Sequence, residues 1–333
     1  MATVDLFAIG NALIDQEFKV SDAFLTAQNL QKGTMQLTDG ETQAELYKNL
    51  QNTQVYKGQA SGGSAANTTV AFSALGASAF YACRVGNDAL GKIYLDGLKA
   101  VNIATTAKSI SEGTTGTCMV LISDDSERTM HTFLGITAEL SAEQIDFSPL
   151  NTAKWLYIEG YLSTSDSARQ AVAQARQLAQ QNGVKIALSL SDPAMVQYAR
   201  AGLDEMIDSG VDLLFCNEQE ALMYSGATDL DSAIASLKEK NQIVVVTRGA
   251  EGVIVTTSEQ QFHVAGRAVT AVDTNGAGDA FAGAFLYAIN AGKSLELAAQ
   301  LAILISSEVV AQFGPRLPDA MYAQLLNTFQ QSA

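Results

Sequence analysis

The sequence Asp273-Thr274-Asn275-Gly276-Ala277-Gly278-Asp279 leads directly into an apolar, alanine-rich run at 280–289. Its glycines permit tight backbone turns and the close approach of a ligand. The pattern predicts a helix at 276–289, whose first N–H groups lack intrahelical partners and whose dipole is positive at that end. The stretch therefore predicts an anion-binding helix N-terminus that suits phosphoryl oxygens.

Asp279 closes this stretch, and a carboxylate there can accept a proton from an attacking hydroxyl group. An ordinary acidic residue of a first helical turn would look the same, because the dipole stabilises it there. On this segment alone both interpretations stay open. The dipole also leads us to expect a lowered pKa for Asp279, and hence a weak base.

The rest of the chain alternates between two patterns. Helical periodicity marks 167–181, 295–310 and 319–329, whereas short apolar runs rich in β-formers occur at 4–9, 79–83, 155–158, 184–188, 211–215 and 243–247. Strands of this kind, alternating with helices, predict an α/β fold with a central, mostly parallel sheet flanked by helices.

Two segments break the alternation, at about 16–35 and 114–133, and we interpret them as extended segments that pair into a small β lid. The chain has only 4 prolines and no proline-rich linker. We therefore expect one domain that spans 1–333.

Composition excludes several classes of protein. Hydrophobic residues make up 47% and charged residues 17%, which favours a folded core over disorder. The net charge of -15, without a basic cluster, argues against nucleic acid as a partner. The N-terminus lacks a secretion signal and no apolar run is long enough for a bilayer, so we expect a cytoplasmic protein without membrane contact.

Three further segments place polar groups where ligands bind in α/β proteins. Ser61–Asn67 (SGGSAAN) opens a helix, Asn217–Glu220 (NEQE) follows a strand, and 247–252 (TRGAEG) follows another. Taken singly, each has an ordinary structural explanation: a loop before a buried helix, a solvated helix start, and a hairpin turn. We expect Glu220 at the surface, where it could orient a hydrated Mg²⁺ ion.

Taken together and in this order, these motifs resemble the ribokinase-like, or PfkB, carbohydrate kinase family. The segment at 273–279 is the most specific of them. The opening Gly10-Asn11-Ala12-Leu13-Ile14-Asp15 resembles the adenosine kinase branch in particular. The resemblance covers nearly the whole chain and implies a ribokinase-like fold.

The resemblance implies a role for each matching position. Asp279 is the expected catalytic base, and the N–H groups of Gly276, Ala277 and Gly278 are the expected anion hole. The ribose hydroxyls are expected to bind Asn11, Asp15, Gly63 and Asn67. The ATP site is expected to comprise Asn217, Thr247, Gly249 and Gly252, with Glu220 acting on Mg²⁺ through water. Arg128 either reaches from the lid to the phosphates or is an exposed arginine.

The expected reaction is transfer of the ATP γ-phosphoryl group to a primary hydroxyl of a ribose-type substrate, with adenosine, giving AMP, as the preferred acceptor. The alternatives are another nucleoside, a free sugar such as ribose or fructose, or a nucleoside-binding regulatory protein without catalysis. The resemblance also suggests a K⁺ site formed by backbone carbonyls near Asp273 and 310–314. We expect the base of a nucleoside to meet apolar and aromatic surface, partly from the lid. The sequence does not indicate an oligomeric state.

Overall fold

A computed structural model describes residues 4–53 and 55–332 of the chain. Residues 1–3, 54 and 333 lie outside the described residues, and so do the two ends of the predicted domain 1–333. The strands are β1 (Leu6–Ile9), β2 (Leu13–Lys19), β3 (Met35–Leu37), β4 (Val55–Gly62), β5 (Ala79–Ala82), β6 (Val85–Gly86), β7 (Ile103–Ala104), β8 (Ile110–Ser111), β9 (Gly116–Ile122), β10 (Arg128–Phe133), β11 (Trp155–Glu159), β12 (Lys185–Ser189), β13 (Leu213–Asn217), β14 (Ile243–Thr247), β15 (Val253–Thr256) and β16 (Gln261–Val264).

The helices alternate with these strands over much of the chain. They are α1 (Asp22–Ala27), α2 (Gly40–Thr53), α3 (Ser64–Ala74), α4 (Ala89–Ala100), α5 (Asp166–Asn182), α6 (Pro193–Tyr198), α7 (Arg200–Ile207), α8 (Glu218–Ser225), α9 (Leu230–Lys238), α10 (Ala277–Asn290), α11 (Leu295–Val310) and α12 (Asp319–Ser332). The helices predicted at 167–181, 276–289, 295–310 and 319–329 are confirmed as α5, α10, α11 and α12.

The central sheet has nine strands in the order β16-β15-β14-β13-β12-β11-β1-β5-β7. Its seven strands from β14 to β7 are parallel, and the β14–β15–β16 edge is antiparallel. All six strands predicted from the sequence lie in its parallel part. The predicted α/β fold with a mostly parallel central sheet is confirmed.

Helices cover both faces of this sheet, because its central strands are buried on both sides. In β1, Leu6 and Ala8 join a core with α3, α4, α10, α11 and α12. The alternate residues Phe7 and Ile9 join a second core with α5 to α9. Side chains that point alternately to opposite faces explain why the strand reads as a continuous apolar run.

A second sheet of five strands, in the order β3-β10-β9-β2-β4, forms the lid. One lid face packs on α1 and α2 through a small apolar cluster. The segments predicted at 16–35 and 114–133 contribute to β2, β3, β9 and β10. Two features differ from the expectation: residues 22–27 form the helix α1, and the polar segment 55–62 supplies a fifth strand.

Helix α10 packs closely on α3, and the contact depends on Gly283. A Cβ atom at position 283 would lie 2.4 Å from the Thr68 carbonyl oxygen and 2.8 Å from the Ala71 Cβ. Gly283 is one helical turn after Asp279, on the same face of α10. This packing therefore fixes the distance between Asp279 and the first turns of α3.

Among the helices of the described chain, none is both long and apolar enough to cross a membrane.

We predict that Gly283→Ala lowers the free energy of unfolding by about 1–3 kcal/mol, because the added methyl group overpacks the α3–α10 contact. An alanine inside a helix otherwise stabilises by about 0.5–1 kcal/mol relative to glycine. Urea unfolding measures the change. Gly278→Ala, also in α10, is the matched control, because a Cβ there meets nothing within 4 Å. Equal stability of the two variants would contradict the close-packing argument.

Candidate active site

A cavity lies where the carboxyl ends of β1, β11, β12, β13 and β14 meet the inner face of the lid. In open α/β sheets this edge is where ligands bind. The predicted site residues that line it are Asn11, Asp15, Gly63, Asn67, Arg128, Asn217, Glu220, Thr247, Gly249, Gly276, Gly278 and Asp279. Two predicted residues, Ala277 and Gly252, are not among the lining residues.

Asp279 lies in the first turn of α10 and faces the first turn of α3. The Ser64 hydroxyl donates to its Oδ1 at 2.6 Å, and the Asn67 amide donates to its Oδ2 at 2.9 Å. Each carboxylate oxygen keeps a second lone pair, because a carboxylate has about four acceptor positions. Asp279 is therefore oriented by the protein and can still accept a proton or hydrogen bond from a ligand.

The expected lowered pKa of Asp279 is wrong. Burial raises its pKa above the ordinary value, although the hydrogen bonds from Ser64 and Asn67 and the charges of Arg128 and Arg316 oppose the shift. Loss of water around the carboxylate outweighs the dipole of α10. A raised pKa makes Asp279 a stronger base than the sequence suggests.

The turn before α10 presents free backbone donors. Gly276 has the left-handed φ of 73°, and a Cβ there would lie 2.4 Å from the Pro315 carbonyl oxygen, so only glycine fits. Within the described chain, no hydrogen bond uses the N–H groups of Gly276, Gly278 or Asp279, whereas that of Ala277 donates to the Thr274 carbonyl at 3.4 Å. The helix N-terminus thus offers three N–H groups to an anion.

Asp15 projects from β2 into the cavity and is buried. Among the described residues no donor forms a hydrogen bond with its carboxylate. Burial raises the pKa of Asp15 to about 7, and the charge of Arg316 opposes the shift while those of Glu17 and Asp279 add to it. A buried carboxyl group without a protein partner is costly, and ligand hydroxyls would supply the missing donors.

Glu159, at the end of β11, joins the loop after β1 to the start of α3. Its two carboxylate oxygens accept the N–H groups of Asn11 and Ala65, each at 2.7 Å. The side chain is fully buried, and burial raises its pKa to about 7 despite these bonds. Glu159 therefore holds Asn11 and α3 in a fixed relation across the sheet.

Asn217 and Glu220 form a reciprocal cap at the start of α8. The Asn217 amide donates to Glu220 Oε1 at 2.7 Å, and the Glu220 N–H donates to Asn217 Oδ1 at 2.8 Å. The expected surface position of Glu220 is wrong: the side chain is only 3% exposed, because the cap turns it inward. Burial raises its pKa to about 8.

The segment 247–252 connects the antiparallel strands β14 and β15, so its explanation as a hairpin turn is confirmed. Thr247 and Gly249 nevertheless line the cavity. Gly252 faces away from the lining, with a positive φ of 101°, and a Cβ there would lie 2.1 Å from the Val264 carbonyl oxygen. Gly252 is thus required by the turn itself.

Arg128, from lid strand β10, crosses to the turn before α10 and donates to Asn275 Oδ1 at 2.9 Å. It is half-buried and is the one basic residue among the described lining residues, so it is not an exposed lid arginine. Four carboxylates line the same cavity: Asp15, Glu159, Glu220 and Asp279. The cavity is therefore acidic, and a polyphosphate would need additional cations there.

The inner face of the lid is largely apolar. Beside the polar lid residues Asp15, Arg128 and Thr132, its side chains on the cavity are aliphatic or contain sulfur: Leu13, Met35, Leu37, Cys118, Val120 and Met130. The expected aromatic part of the wall comes instead from outside the lid, from Tyr161, Phe215 and Phe281. A flat apolar ligand could be buried between these surfaces.

Sequence reasoning missed three residues that hold the site together: Ser64, Glu159 and Arg316. Ser64 belongs to the quoted 61–67 motif, so its proximity to a polar site was detectable. Glu159 ends a strongly apolar strand, and this isolated charge was the signal. Arg316 lies 249 residues after Asn67, its partner, and no local pattern could reveal that pairing.

Comparisons with known proteins agree with this architecture. Residues 34–320 match the family described as pfkB family carbohydrate kinase. The chain is similar to the crystal structure of adenosine kinase from Sinorhizobium meliloti, with a TM-score of 0.93, 33% identity and full coverage of both chains.

Two relatives by sequence extend the comparison. Adenosine kinase from Schizosaccharomyces pombe is 26% identical over 344 residues, which cover 96% of this chain and 97% of that protein. Ribokinase from Mus musculus is 31% identical over 237 residues, which cover 68% of this chain and 70% of that protein. The family resemblance and the ribokinase-like fold predicted from the motifs are confirmed.

We predict that Asp15→Asn gains stability relative to the wild type as pH rises. The folded-state pKa of about 7 exceeds the ordinary 3.8, so the proton that Asp15 retains when folded is released on unfolding. Ionisation of Asp15 therefore lowers the stability of the wild type between about pH 4 and pH 7, whereas the Asp15→Asn variant has no such loss. Between pH 5 and 7.5 the difference in unfolding free energy should change by about 2–3 kcal/mol in favour of the variant.

Urea unfolding at both pH values measures this change. Asp124→Asn, which replaces a lid carboxylate with 82% exposure, is the matched control and should shift stability by no more than about 0.5 kcal/mol at either pH. Parallel pH dependence for wild type and Asp15→Asn would show that Asp15 is not held in a costly buried state.

Proposed function

Because the chain belongs to the pfkB family of carbohydrate kinases, we propose that it transfers the γ-phosphoryl group of ATP to the primary hydroxyl of adenosine, giving AMP. Members of this family are phosphotransferases that act on hydroxyl groups. A sugar or nucleoside kinase is therefore the class of the protein, and a regulatory protein without catalysis is not supported. The identity of the acceptor is the proposal.

The observation that carries adenosine is the composition of the cavity lining. Asp15 lacks a protein donor and lines the cavity with Asn11 and Asn67, a set suited to a vicinal diol with two donors and four lone pairs. Aliphatic and sulfur-containing side chains of the lid give the same cavity an apolar wall. A ribose that carries a purine base would use both features, whereas a free sugar would leave the wall uncovered.

Asp279 would act as the base toward the acceptor hydroxyl. Its two protein donors fix its orientation, and its raised pKa favours proton acceptance in the transition state. Asn67 uses one lone pair of its Oδ1 for Arg316 and one N–H for Asp279, so one N–H and one lone pair remain for a substrate hydroxyl. The hydroxyl would thus be oriented for in-line attack, and positioning would supply much of the rate.

The free N–H groups of Gly276, Gly278 and Asp279 would stabilise the transferring phosphoryl group. Arg128, held beside them by Asn275, would add a positive charge from the lid. Asn217, Thr247 and Gly249 would contact the remainder of ATP at the ends of β13 and β14, and Ala277 and Gly252 would shape the turns. The five-stranded sheet would serve as the lid of a single kinase domain.

Mg²⁺ fits this site as a hydrated ion. Within the described residues no cluster of three or more His, Cys, Asp or Glu side chains could hold a metal ion. Both oxygens of Glu220 already accept from Asn217, which holds the carboxylate in the cap of α8. Glu220 would act through water, and bound Mg²⁺ would neutralise charge on the phosphates.

A K⁺ ion near Asp273 and 310–314 also fits. The two segments lie together: the Gly314 N–H donates to Asp273 Oδ2 at 3.0 Å, and the Asp273 N–H donates to the Val310 carbonyl at 3.2 Å. Glu17 Oε1 is buried without a partner close to Gly314. An unpartnered carboxylate oxygen beside Gly314 is a suitable environment for a cation.

The second candidate acceptor is a free sugar, because ribokinase from Mus musculus is among the similar proteins. Asp15 and Asn67 would serve ribose equally well. The lid wall favours adenosine, since burial of the base would add apolar contact that ribose and fructose cannot make.

We predict that kcat/KM with ATP is higher for adenosine than for ribose or fructose by roughly 10- to 100-fold, which corresponds to about 1–3 kcal/mol from burying the base. Removal of the 2′-hydroxyl in 2′-deoxyadenosine should lower kcat/KM, because Asp15 loses a donor. ADP release across the panel measures these ratios, with 5′-deoxyadenosine as the control that lacks the acceptor oxygen. A kcat/KM for ribose or fructose equal to that for adenosine would favour the sugar kinase instead.

A further inference from the structure

Arg316 contacts a residue of the site, Asn67, but is not among the residues that line the cavity. It lies on the segment between α11 and α12, whose Gln312 side chain donates to the Arg316 carbonyl at 2.7 Å. The neighbouring Pro315 packs directly against Gly276 of the phosphate-binding turn. The segment that carries Arg316 is therefore in contact with the turn that precedes Asp279.

The Arg316 Nε donates to Asn67 Oδ1 at 2.8 Å. A guanidinium group has only donors, so the atom of Asn67 that faces it must be the amide oxygen. The NH₂ group of Asn67 is then forced to face Asp279, where it donates to Oδ2. Arg316, Asn67 and Asp279 thus form a chain of hydrogen bonds whose direction is set at both ends, by the donor-only guanidinium and by the acceptor-only carboxylate.

Without the Arg316 donor, Asp279 alone would oppose a turn of the Asn67 amide, whose two ends have nearly the same shape. The flipped amide would place its oxygen against the Asp279 carboxylate, and two acceptors repel each other. Asp279 would then keep only the Ser64 hydroxyl as a donor and would be free to rotate. A misplacement of about 1 Å at a reacting group can lower the rate by about 100-fold.

The bond to Asn67 is the principal polar contact of the Arg316 guanidinium. Its Nη2 is buried and has no hydrogen-bond partner among the described residues. The positive charge is close enough to oppose the raised pKa values of both Asp279 and Asp15. A buried guanidinium N–H group without a hydrogen-bond partner lowers stability, which argues that Arg316 has a role other than stabilising the fold.

We propose that Arg316 is a positioning residue, which fixes the amide of Asn67 and through it the orientation of the base Asp279. The inference rests on the proposed function, because Asp279 is the base only if the protein is a kinase. Arg316 would act through Asn67, because Arg316 is not among the residues that line the cavity.

Glutamine and methionine at position 316 separate orientation from charge and bulk. Both side chains have the length of arginine up to Nε, and the amide of glutamine can place an NH₂ donor there, whereas methionine has no donor. With adenosine and ATP, Arg316→Met should lower kcat by about 10- to 100-fold and change KM less, and Arg316→Gln should restore kcat to within about fivefold of the wild type. In an Asn67→Ala background, Arg316→Met should change kcat by less than about twofold, because the two residues act as one unit.

Amide exchange gives a readout that does not depend on turnover. In protein labelled with ¹⁵N-asparagine, with Asn67→Ala to assign the signal, the Asn67 side-chain NH₂ should exchange about tenfold faster in Arg316→Met than in the wild type or Arg316→Gln. This measurement tests the inference even if no acceptor is phosphorylated, an outcome that would reject the proposed function alone.

Arg267→Met is the matched control, because it removes a half-exposed arginine whose ion pair with Glu308 is remote from this chain of bonds. Its kcat and the Asn67 exchange rate should equal those of the wild type. Three results would each overturn this role of Arg316. They are a kcat of Arg316→Gln no higher than that of Arg316→Met, independent effects of Arg316→Met and Asn67→Ala on kcat, and an Asn67 exchange rate that Arg316→Met leaves unchanged.

Discussion

The close contact between α3 and α10 is the constraint on which the site depends. Gly283 lets the two helices approach until backbone meets side chain, and Asp279 lies one turn earlier on the same face. Only at this separation can Ser64 and Asn67 both donate to Asp279. Other elements then secure the pair from outside: Glu159 holds the start of α3 to the central sheet, and the segment with Arg316 packs against the turn before α10.

The electrostatics of the cavity follow from burial. Asp15, Glu159, Glu220 and Asp279 all have raised pKa values because the lid and the sheet exclude water around them. Burial of these carboxyl groups costs free energy in the empty protein, and a ligand hydroxyl, a hydrated cation or a proton would lower that cost, most of all at Asp15, which has no protein donor. These properties support the proposed ligands, an acceptor with several hydroxyl groups and a polyphosphate accompanied by metal.

The sequence predicts what local patterns determine. The strand at 243–247 and the helix at 295–310 match the structure residue for residue, because their apolar patterns are long and uninterrupted. Residues 55–62 escaped prediction because an edge strand of the lid is exposed and polar. Likewise, the burial of Glu220 and the raised pKa of Asp279 arise from elements that are distant in sequence and meet only in the fold.

The most direct test of the account is the turnover of Asp279→Asn, measured as ADP release with adenosine and ATP, together with adenosine affinity by calorimetry. Asparagine keeps the size of aspartate but cannot accept the proton. We expect kcat to fall by about 10²–10⁴ while the affinity changes by less than about tenfold. A folded variant with nearly normal turnover would contradict the assignment of Asp279 as the base, and with it the reason for the α3–α10 arrangement.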